Sequence, residues 1–199
     1  MAFTYFFRDE DCLTLAIDAM APAVQGRQRI RVWDAGCAHG PEPYTVAILL
    51  AERMGKFQFR NVRIDATDVD ESGQFGEIIA KGRYPRGEVE RVPAELRARY
   101  FTDAGVDVEL TSEIRDRLVF SRHDLLSFQP PPSGAYQLVV CKNVLLHFSP
   151  DQRGEVVRLF HRVLDPGGIL VLENTQSMPP GCGGLFERCA PHVSVFRKP

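Results

Sequence analysis

The chain has 199 residues, of which 44% are hydrophobic and 25% are charged, so it is long enough to bury one sizeable core and short for two. We therefore expect one domain over residues 1–199. A formal net charge of −2 gives no electrostatic reason to expect a nucleic-acid partner. No apolar run reaches the roughly 20 residues of a membrane helix and no signal peptide is evident, so we expect a cytoplasmic protein without membrane insertion.

The cysteines do not form the spacing of a metal site or a disulfide framework. They are Cys12, Cys37, Cys141, Cys182 and Cys189. No two of them make a C-x-x-C pair and the five histidines are scattered, so we expect no structural zinc site. A reducing compartment favours free thiols, and a disulfide between Cys182 and Cys189 is the alternative.

The first predicted element is a helix. Apolar residues recur at helical spacing over 12–20, after a capping residue at Asp9 or Asp11. Pro22 and Gly26 are expected to end this helix.

The rest of the chain alternates predicted strands and helices. In the first half, the pattern predicts a strand through Ile30 and Val32, a glycine turn at 36–40, a helix ending near Gly55, a strand at 62–67 and a helix from Asp70 to Gly82. A polar stretch at 84–99 then leads to a small antiparallel β insertion at 100–117. The second half is predicted to contain core strands at 118–120 and 136–141, a helix that Ser149 caps ahead of Pro150, a core strand at 168–172 and a final strand at 193–196. Because strands joined by helices pair in parallel, we expect an α/β fold.

Acidic, amide and glycine residues, two of them followed by an apolar neighbour, follow the first four predicted core strands. They are Asp34, Gly36 and Gly40 after the first, Asp68 after the second, Asp124 and Leu125 after the third, and Asn143 and Val144 after the fourth. In open α/β sheets, ligands bind at this edge. A carboxylate after the second strand suits a ribose diol, and a carboxylate or amide after the third suits an adenine amino group, so the pattern favours an adenosine ligand.

The glycine turn argues against a dinucleotide. Its sequence, Gly36-Cys37-Ala38-His39-Gly40, lacks the G-x-G-x-x-G spacing that seats a pyrophosphate on a helix N-terminus, and no Walker lysine is present. The alternative is that these residues form ordinary strand-end turns, where Asp, Asn and Gly are common.

These residues belong to a series of motifs that runs through nearly the whole chain. The motifs are Thr4-Tyr5-Phe6-Phe7-Arg8, Ala35-Gly36-Cys37, Glu42-Pro43-Tyr44-Thr45, Ala66-Thr67-Asp68-Val69-Asp70, Arg99-Tyr100-Phe101, Asp124-Leu125-Leu126, Cys141-Lys142-Asn143-Val144 and Leu164-Asp165-Pro166-Gly167-Gly168. In order and combination, the sequence resembles the CheR-type chemotaxis receptor methyltransferases, which are protein-glutamate O-methyltransferases that use S-adenosylmethionine. The resemblance implies the class I S-adenosylmethionine-dependent methyltransferase fold, a Rossmann-like, mostly parallel sheet with a small antiparallel β insertion. It also implies a chemoreceptor or other protein substrate, which in some family members docks on the β insertion by adding a strand.

The resemblance assigns roles to individual residues. The implied cofactor contacts are Thr4, Arg8, Gly36, Glu42, Asp68, Asp124, Leu125, Asn143 and Val144, and the implied catalytic residues are Arg8, Asn143 and His147. Asp68 would hold the ribose diol, and Asp124 the adenine edge, where the family more often has Asn. Glu42 would accept from the methionyl ammonium, Arg8 would hold the methionyl carboxylate or the incoming glutamate, and Asn143 would lie near the reacting methyl group.

The chain departs from the family pattern at several positions. Ala38, His39 and Pro41 replace the Ser, Thr and first Glu of the glycine turn, and His147 replaces a tyrosine near the methyl-transfer centre. After the strand at 168–172, the family's Gly-His-Ser-Glu becomes Glu173-Asn174-Thr175-Gln176. The family usually carries an N-terminal helical domain, whereas this chain begins at the Phe-Phe-Arg motif, so a truncated and a minimal form are both open.

Three functions follow as hypotheses. The first is methyl transfer from S-adenosylmethionine to protein glutamate side chains, as on a chemoreceptor. The second is a methyltransferase of the same fold with another substrate, which the changed residues after Leu172 favour. The third is a non-catalytic module that binds an S-adenosyl ligand, which the altered glycine turn favours.

Overall fold

A computed structural model describes residues 4–131, 134–175 and 177–199. In chain order, the strands are β1 (Ile30–Ala35), β2 (Val62–Asp68), β3 (Arg83–Pro85), β4 (Phe101–Ala104), β5 (Asp107–Leu110), β6 (Leu118–Arg122), β7 (Tyr136–Cys141), β8 (Leu164–Leu172), β9 (Glu187–Arg188) and β10 (Val195–Arg197). The helices are α1 (Glu10–Val24), α2 (Pro41–Phe59), α3 (Phe75–Lys81), α4 (Ala94–Tyr100), α5 (Ser112–Arg115) and α6 (Pro150–Val163). Within these described ranges, no helix has both the length and the apolar character needed to cross a bilayer.

Seven strands form the main sheet in the order β6-β2-β1-β7-β8-β10-β9. The five strands from β6 to β8 pair in parallel, and β10 pairs antiparallel with β8 and with β9. The direction of the chain across the sheet reverses between β1 and β7, and the carboxyl ends of strands at such a switch point border the ligand crevice of α/β proteins. The predicted α/β class with a mostly parallel sheet is confirmed.

Helices cover both faces of the main sheet, so its central strands are buried on both sides. Along β1, Ile30 and Val32 join the core formed with α1 and α2, whereas Trp33 and Ala35 join the core formed with α6. This alternation follows from the two-residue repeat of a strand. It directs Asp34 toward the α2 face, beside the predicted site.

The cysteines pack as free thiols. Cys12 and Cys37 lie in the core beside α1 and α2, and Cys141 and Cys182 lie in the core beside α6. Cys189 is half-buried and also free, so the alternative of a disulfide between it and Cys182 is wrong.

The helix ends agree with the sequence prediction in part. Ser149 caps α6 as predicted, in a capping box. Asp9 occupies the N-cap position of α1 but makes no side-chain cap hydrogen bond, because its carboxylate pairs with Lys142. Of the two residues predicted to end α1, Pro22 does not stop it: the helix continues to the buried Val24 and ends before Gly26, which has a φ of +74°.

Two further helix boundaries differ from the prediction. α3 begins at Phe75 rather than at Asp70, whose carboxylate instead accepts the N–H groups of Gln74 (3.1 Å) and Phe75 (3.2 Å). Gly55 interrupts α2 with a non-helical φ of 72°, and the helix then continues to the buried Phe59.

The small antiparallel sheet has the order β3-β5-β4. The predicted insertion supplies β4 and β5, but β3 lies earlier, at the start of the stretch that the sequence marks as a polar connection. Tyr84, the one buried residue of β3, packs edge-on against Phe6, with the ring centroids 5.0 Å apart. The predicted start at 100 is therefore wrong, because the contact that stabilises β3 comes from a distant part of the chain.

The strand predicted at 118–120 is an edge strand rather than a core strand. β6 pairs on one side, with β2, and Val119 is 40% exposed. A short apolar run does not reveal whether one or two strands flank it, so this part of the prediction is wrong.

Candidate cofactor site

The glycine turn after β1 packs directly against the loop after β7. Gly36 donates its N–H to the carbonyl of Thr67 (2.8 Å) and has a φ of +96°. A Cβ added at Gly36 would lie 2.1 Å from Cγ2 of Val144. Two of the predicted cofactor residues, Gly36 and Val144, are thus in contact across the switch point, at a position that only glycine fits.

Asp68, at the end of β2, is tied to the same turn. Its Oδ2 accepts the N–H of Ala38 (3.0 Å), and its Oδ1 accepts the N–H of Asp70 (3.1 Å). The Ala38 substitution therefore leaves this backbone hydrogen bond in place. The next residue, His39, lies 3.5 Å from Glu88 through its Nε2, and its carbonyl accepts the Tyr84 hydroxyl (2.8 Å). The sequence does not indicate Tyr84 and Glu88, which reach the turn from β3 and from the segment that follows it.

Two buried acids lie beneath the turn. Asp34 is fully buried, and neither of its carboxylate oxygens has a hydrogen-bond partner among the described residues. Burial, and after it the charges of Glu42 and Asp68, hold the pKa of Asp34 well above its usual range. Burial also raises the pKa of Glu42 to about 7, although the positive charges of Lys142 and Arg8 lower it. Glu42 thus lies near Asp34, and the charge of Lys142 acts on both carboxyl groups.

A buried lysine follows β7. The side chain of Lys142 is 1% exposed and forms an ion pair with Asp9, which lies just before α1. The next residue, Asn143, has a left-handed φ of 59° and donates its N–H to Oε2 of Glu173 (3.0 Å). Oε1 of Glu173 is buried and has no partner within the described part of the chain. The motif that contains Lys142 indicates its importance, but the sequence does not reveal the pair with Asp9.

The N-terminal motif, Thr4 to Arg8, packs against α2 and the small sheet. Phe6 lies between Tyr84 and Phe101, with ring centroids 5.0 and 5.6 Å away, and Phe7 donates its N–H to Thr45 Oγ1 (2.9 Å). Arg8 is near enough to Glu42 for its charge to lower the Glu42 pKa. Thr4 is half-buried at the start of the motif.

The remaining predicted residues lie at neighbouring strand ends. Asp124 is exposed and accepts the N–H of Leu126 (2.8 Å), and Leu125 is buried. The N–H of His123 bonds to the carbonyl of Asp68 (2.9 Å), which holds the Asp124 loop beside the end of β2. His147 is exposed at the end of a short turn, and no contact among the described residues joins its ring to the other candidates. Of the changed segment after β8, Gln176 lies outside the described residues.

Comparison with known families identifies this arrangement. The family model described as "CheR methyltransferase, SAM binding domain" matches residues 2–193. The chain belongs to the CheR methyltransferase family. The predicted family, the class I methyltransferase fold and S-adenosylmethionine as cofactor are confirmed.

Several relatives of this CheR-family chain carry chemotaxis names. It is 30% identical over 200 residues to chemotaxis protein methyltransferase 2 of Vibrio cholerae, covering 98% of the chain and 67% of that protein. It is 31% identical over 196 residues to a chemotaxis protein methyltransferase of Vibrio parahaemolyticus, covering 96% and 70%. An uncharacterized 104.1 kDa protein of Rhodobacter capsulatus is 34% identical over 182 residues, which are 88% of the chain and 18% of that protein.

Solved structures that are similar to the chain share little of its sequence. PKMT2 from Rickettsia typhi is 13% identical, with a TM-score of 0.49 over 85% of this chain and 26% of that one. The glycopeptide N-methyltransferase MtfA, complexed with sinefungin, is 13% identical, with a TM-score of 0.43 over 82% and 53%.

The described crevice fits the cofactor of the CheR family. S-adenosylmethionine carries two positive groups, an ammonium and a sulfonium, and two buried acids, Asp34 and Glu42, lie beneath the glycine turn. The orphaned oxygens of Asp34 are the clearest sign, because a buried carboxylate without a partner is costly unless a ligand satisfies it.

Proposed function

We propose that this CheR-family chain transfers a methyl group from S-adenosylmethionine to glutamate side chains of a chemoreceptor-like protein in the cytoplasm. The observation that carries the substrate assignment is the agreement among relatives: proteins named as chemotaxis methyltransferases in two Vibrio species match 96–98% of the chain at 30–31% identity. Because the chain corresponds to 67–70% of those two proteins, the assignment remains a proposal for the whole protein.

In this proposal the crevice holds the cofactor through residues from several strand ends. Asp68 accepts the ribose hydroxyls, while Asp124 and Leu125 border the adenine. Glu42 accepts from the methionyl ammonium, and the contact between Gly36 and Val144 forms the floor of the site. Thr4 closes the site from the N-terminal motif.

The chemistry asks little of acid–base catalysis. When bound, the cofactor supplies a methyl group on a sulfonium leaving group, and a glutamate carboxylate is already ionised at neutral pH. Positioning of the carboxylate oxygen therefore supplies most of the rate enhancement. Arg8 orients the carboxylate without removing its nucleophilicity, and Asn143 lines the methyl-transfer centre.

A single assay tests the substrate class. The protein is incubated with methyl-labelled S-adenosylmethionine and receptor membranes or peptides, and the product is then treated with base. Carboxyl methyl esters release volatile labelled methanol, and peptides with glutamine at the acceptor positions should release none. Base-stable label would support the same fold acting on another substrate, and cofactor binding without transfer would support the binding module.

We also propose that the small sheet docks the protein substrate by strand addition. β4 is an edge strand whose Thr102 and Asp103 are exposed, whereas the other edge strand, β3, ends in Pro85, which has no N–H to donate. A synthetic peptide from a chemoreceptor C-terminus should slow amide exchange in Phe101–Ala104 and leave Arg83–Pro85 unchanged. Binding of the peptide without protection of β4 would contradict this role.

A further inference from the structure

Asp34 differs from the other buried acids of the main sheet. Both of its oxygens lack a partner within the described ranges. By contrast, Asp65 on the opposite face of the sheet accepts from the Tyr136 hydroxyl (2.9 Å) and from Arg63 (3.2 Å). A buried carboxylate is normally paired or hydrogen-bonded, so the bare Asp34 indicates a partner that the protein itself does not supply.

The groups around Asp34 are mainly acidic. The charges that act on it come from Glu42 of α2, from Asp68 at the end of β2, and from Lys142 after β7. Of these, only Lys142 is a cation, and its ammonium is already paired with Asp9. The surroundings of Asp34 therefore favour a positively charged group.

The cofactor and its product differ in charge at one atom. S-adenosylmethionine has an ammonium, a carboxylate and a sulfonium, and therefore a net charge of +1. During transfer, the carboxylate oxygen of the substrate forms a bond to the methyl carbon, and the S–CH₃ bond breaks with its electron pair passing to sulfur. The product is a neutral thioether that keeps the ammonium and the carboxylate, so its net charge is zero. An interaction with the ammonium strengthens the binding of both molecules. Only an interaction with the sulfonium gives the cofactor a higher affinity than the product.

We propose that Asp34 is the residue by which this pocket prefers the sulfonium cofactor to its thioether product, and that it thereby favours product release. The inference rests on the proposed placement of the cofactor in the crevice. Losing a unit positive charge near a buried carboxylate is worth on the order of tenfold in affinity. Glu42 and Asp68 bind the ammonium and the ribose, which both molecules have, so these residues set the affinity for both. Asp34 sets the ratio of the affinity for S-adenosylmethionine to that for its product.

Calorimetric titration of the full chain tests the proposal with three ligands: S-adenosylmethionine, S-adenosylhomocysteine, and sinefungin, which has an amine in place of the methylsulfonium. Asp34→Asn should weaken the two positively charged ligands about tenfold and S-adenosylhomocysteine less than threefold. Titrations in buffers of different ionisation enthalpy should show more proton release with S-adenosylmethionine than with S-adenosylhomocysteine, and Asp34→Asn should remove that difference. The proton release is expected because burial raises the pKa of Asp34 and a nearby cation lowers it again.

The matched control is Asp65→Asn, which removes a buried charge from the opposite face and should leave the ratio of the affinities unchanged. If Asp34→Asn does not fold, Asp34→Ser provides the same comparison, because the ratio of affinities rather than their absolute size decides. Equal losses for all three ligands, or no loss, would overturn the role of Asp34. If the unaltered chain binds none of the three ligands, the proposed cofactor site itself is wrong.

Discussion

Gly36→Ala is expected to abolish measurable cofactor binding and to lower the stability of the chain by roughly 2–6 kcal/mol. Two effects combine: alanine is strained at a φ of +96°, and its Cβ would lie 2.1 Å from Cγ2 of Val144. Chemical denaturation and calorimetric titration with S-adenosylhomocysteine measure the two losses. The clash lies between the loops after β1 and β7. These loops must move apart to relieve it, and that movement changes the cofactor site.

Gly26→Ala is the matched control for this change. Gly26 has a φ of +74° with nothing within 4 Å of an added Cβ, so its substitution carries the backbone strain without the clash. In the double variant Gly36→Ala with Val144→Ala, removal of Cγ2 should restore part of the lost stability. An unchanged dissociation constant for Gly36→Ala would show that the cofactor does not use this turn.

Asp68→Ala is expected to weaken cofactor binding by about 100-fold or more. Two hydrogen bonds from ribose hydroxyls to a carboxylate account for a loss of this size. The carboxylate also accepts the N–H groups of Ala38 and Asp70, so loosening of the glycine turn would add to the loss. Titration with S-adenosylhomocysteine measures the combined effect.

A ribose analogue separates the two contributions. The 2′-deoxy analogue of S-adenosylhomocysteine should bind the unaltered chain more weakly than the parent compound. With Asp68→Ala, the two ligands should bind equally, because the acceptor for the hydroxyl is gone. If the analogue still binds more weakly to the variant, Asp68 acts through the turn alone and the ribose role is wrong.

The sequence predicts best what nearby residues determine. The strand through Ile30 and Val32, the glycine turn after it and the cap at Ser149 depend on residues that are close along the chain, and all three are present in the structure. The family could be identified because its motifs follow successive strands along the chain. The carboxyl ends of those strands meet at one edge of the sheet, so motifs in this order form one site.

Contacts between distant residues explain what the sequence did not predict. Lys142 pairs with Asp9 across 133 positions, and β3 depends on the packing of Tyr84 against Phe6. The edge position of β6 depends on which strands flank it, which no local pattern encodes. The isolation of Asp34 is a property of its surroundings, so the sequence could place this residue at the end of the first strand but could not reveal its missing partners.

Tyr84 belongs to two parts of the molecule at once. It lies in β3 of the small sheet, while its hydroxyl bonds to the carbonyl of His39 and lies 2.5 Å from the position of a Cβ added at Gly40. A partner that displaces β3 must therefore break a hydrogen bond at the glycine turn. By thermodynamic linkage the effect is mutual, so a ligand that orders the glycine turn also makes β3 harder to displace. The Tyr84 hydroxyl therefore couples ligand binding at the turn to partner binding at the small sheet.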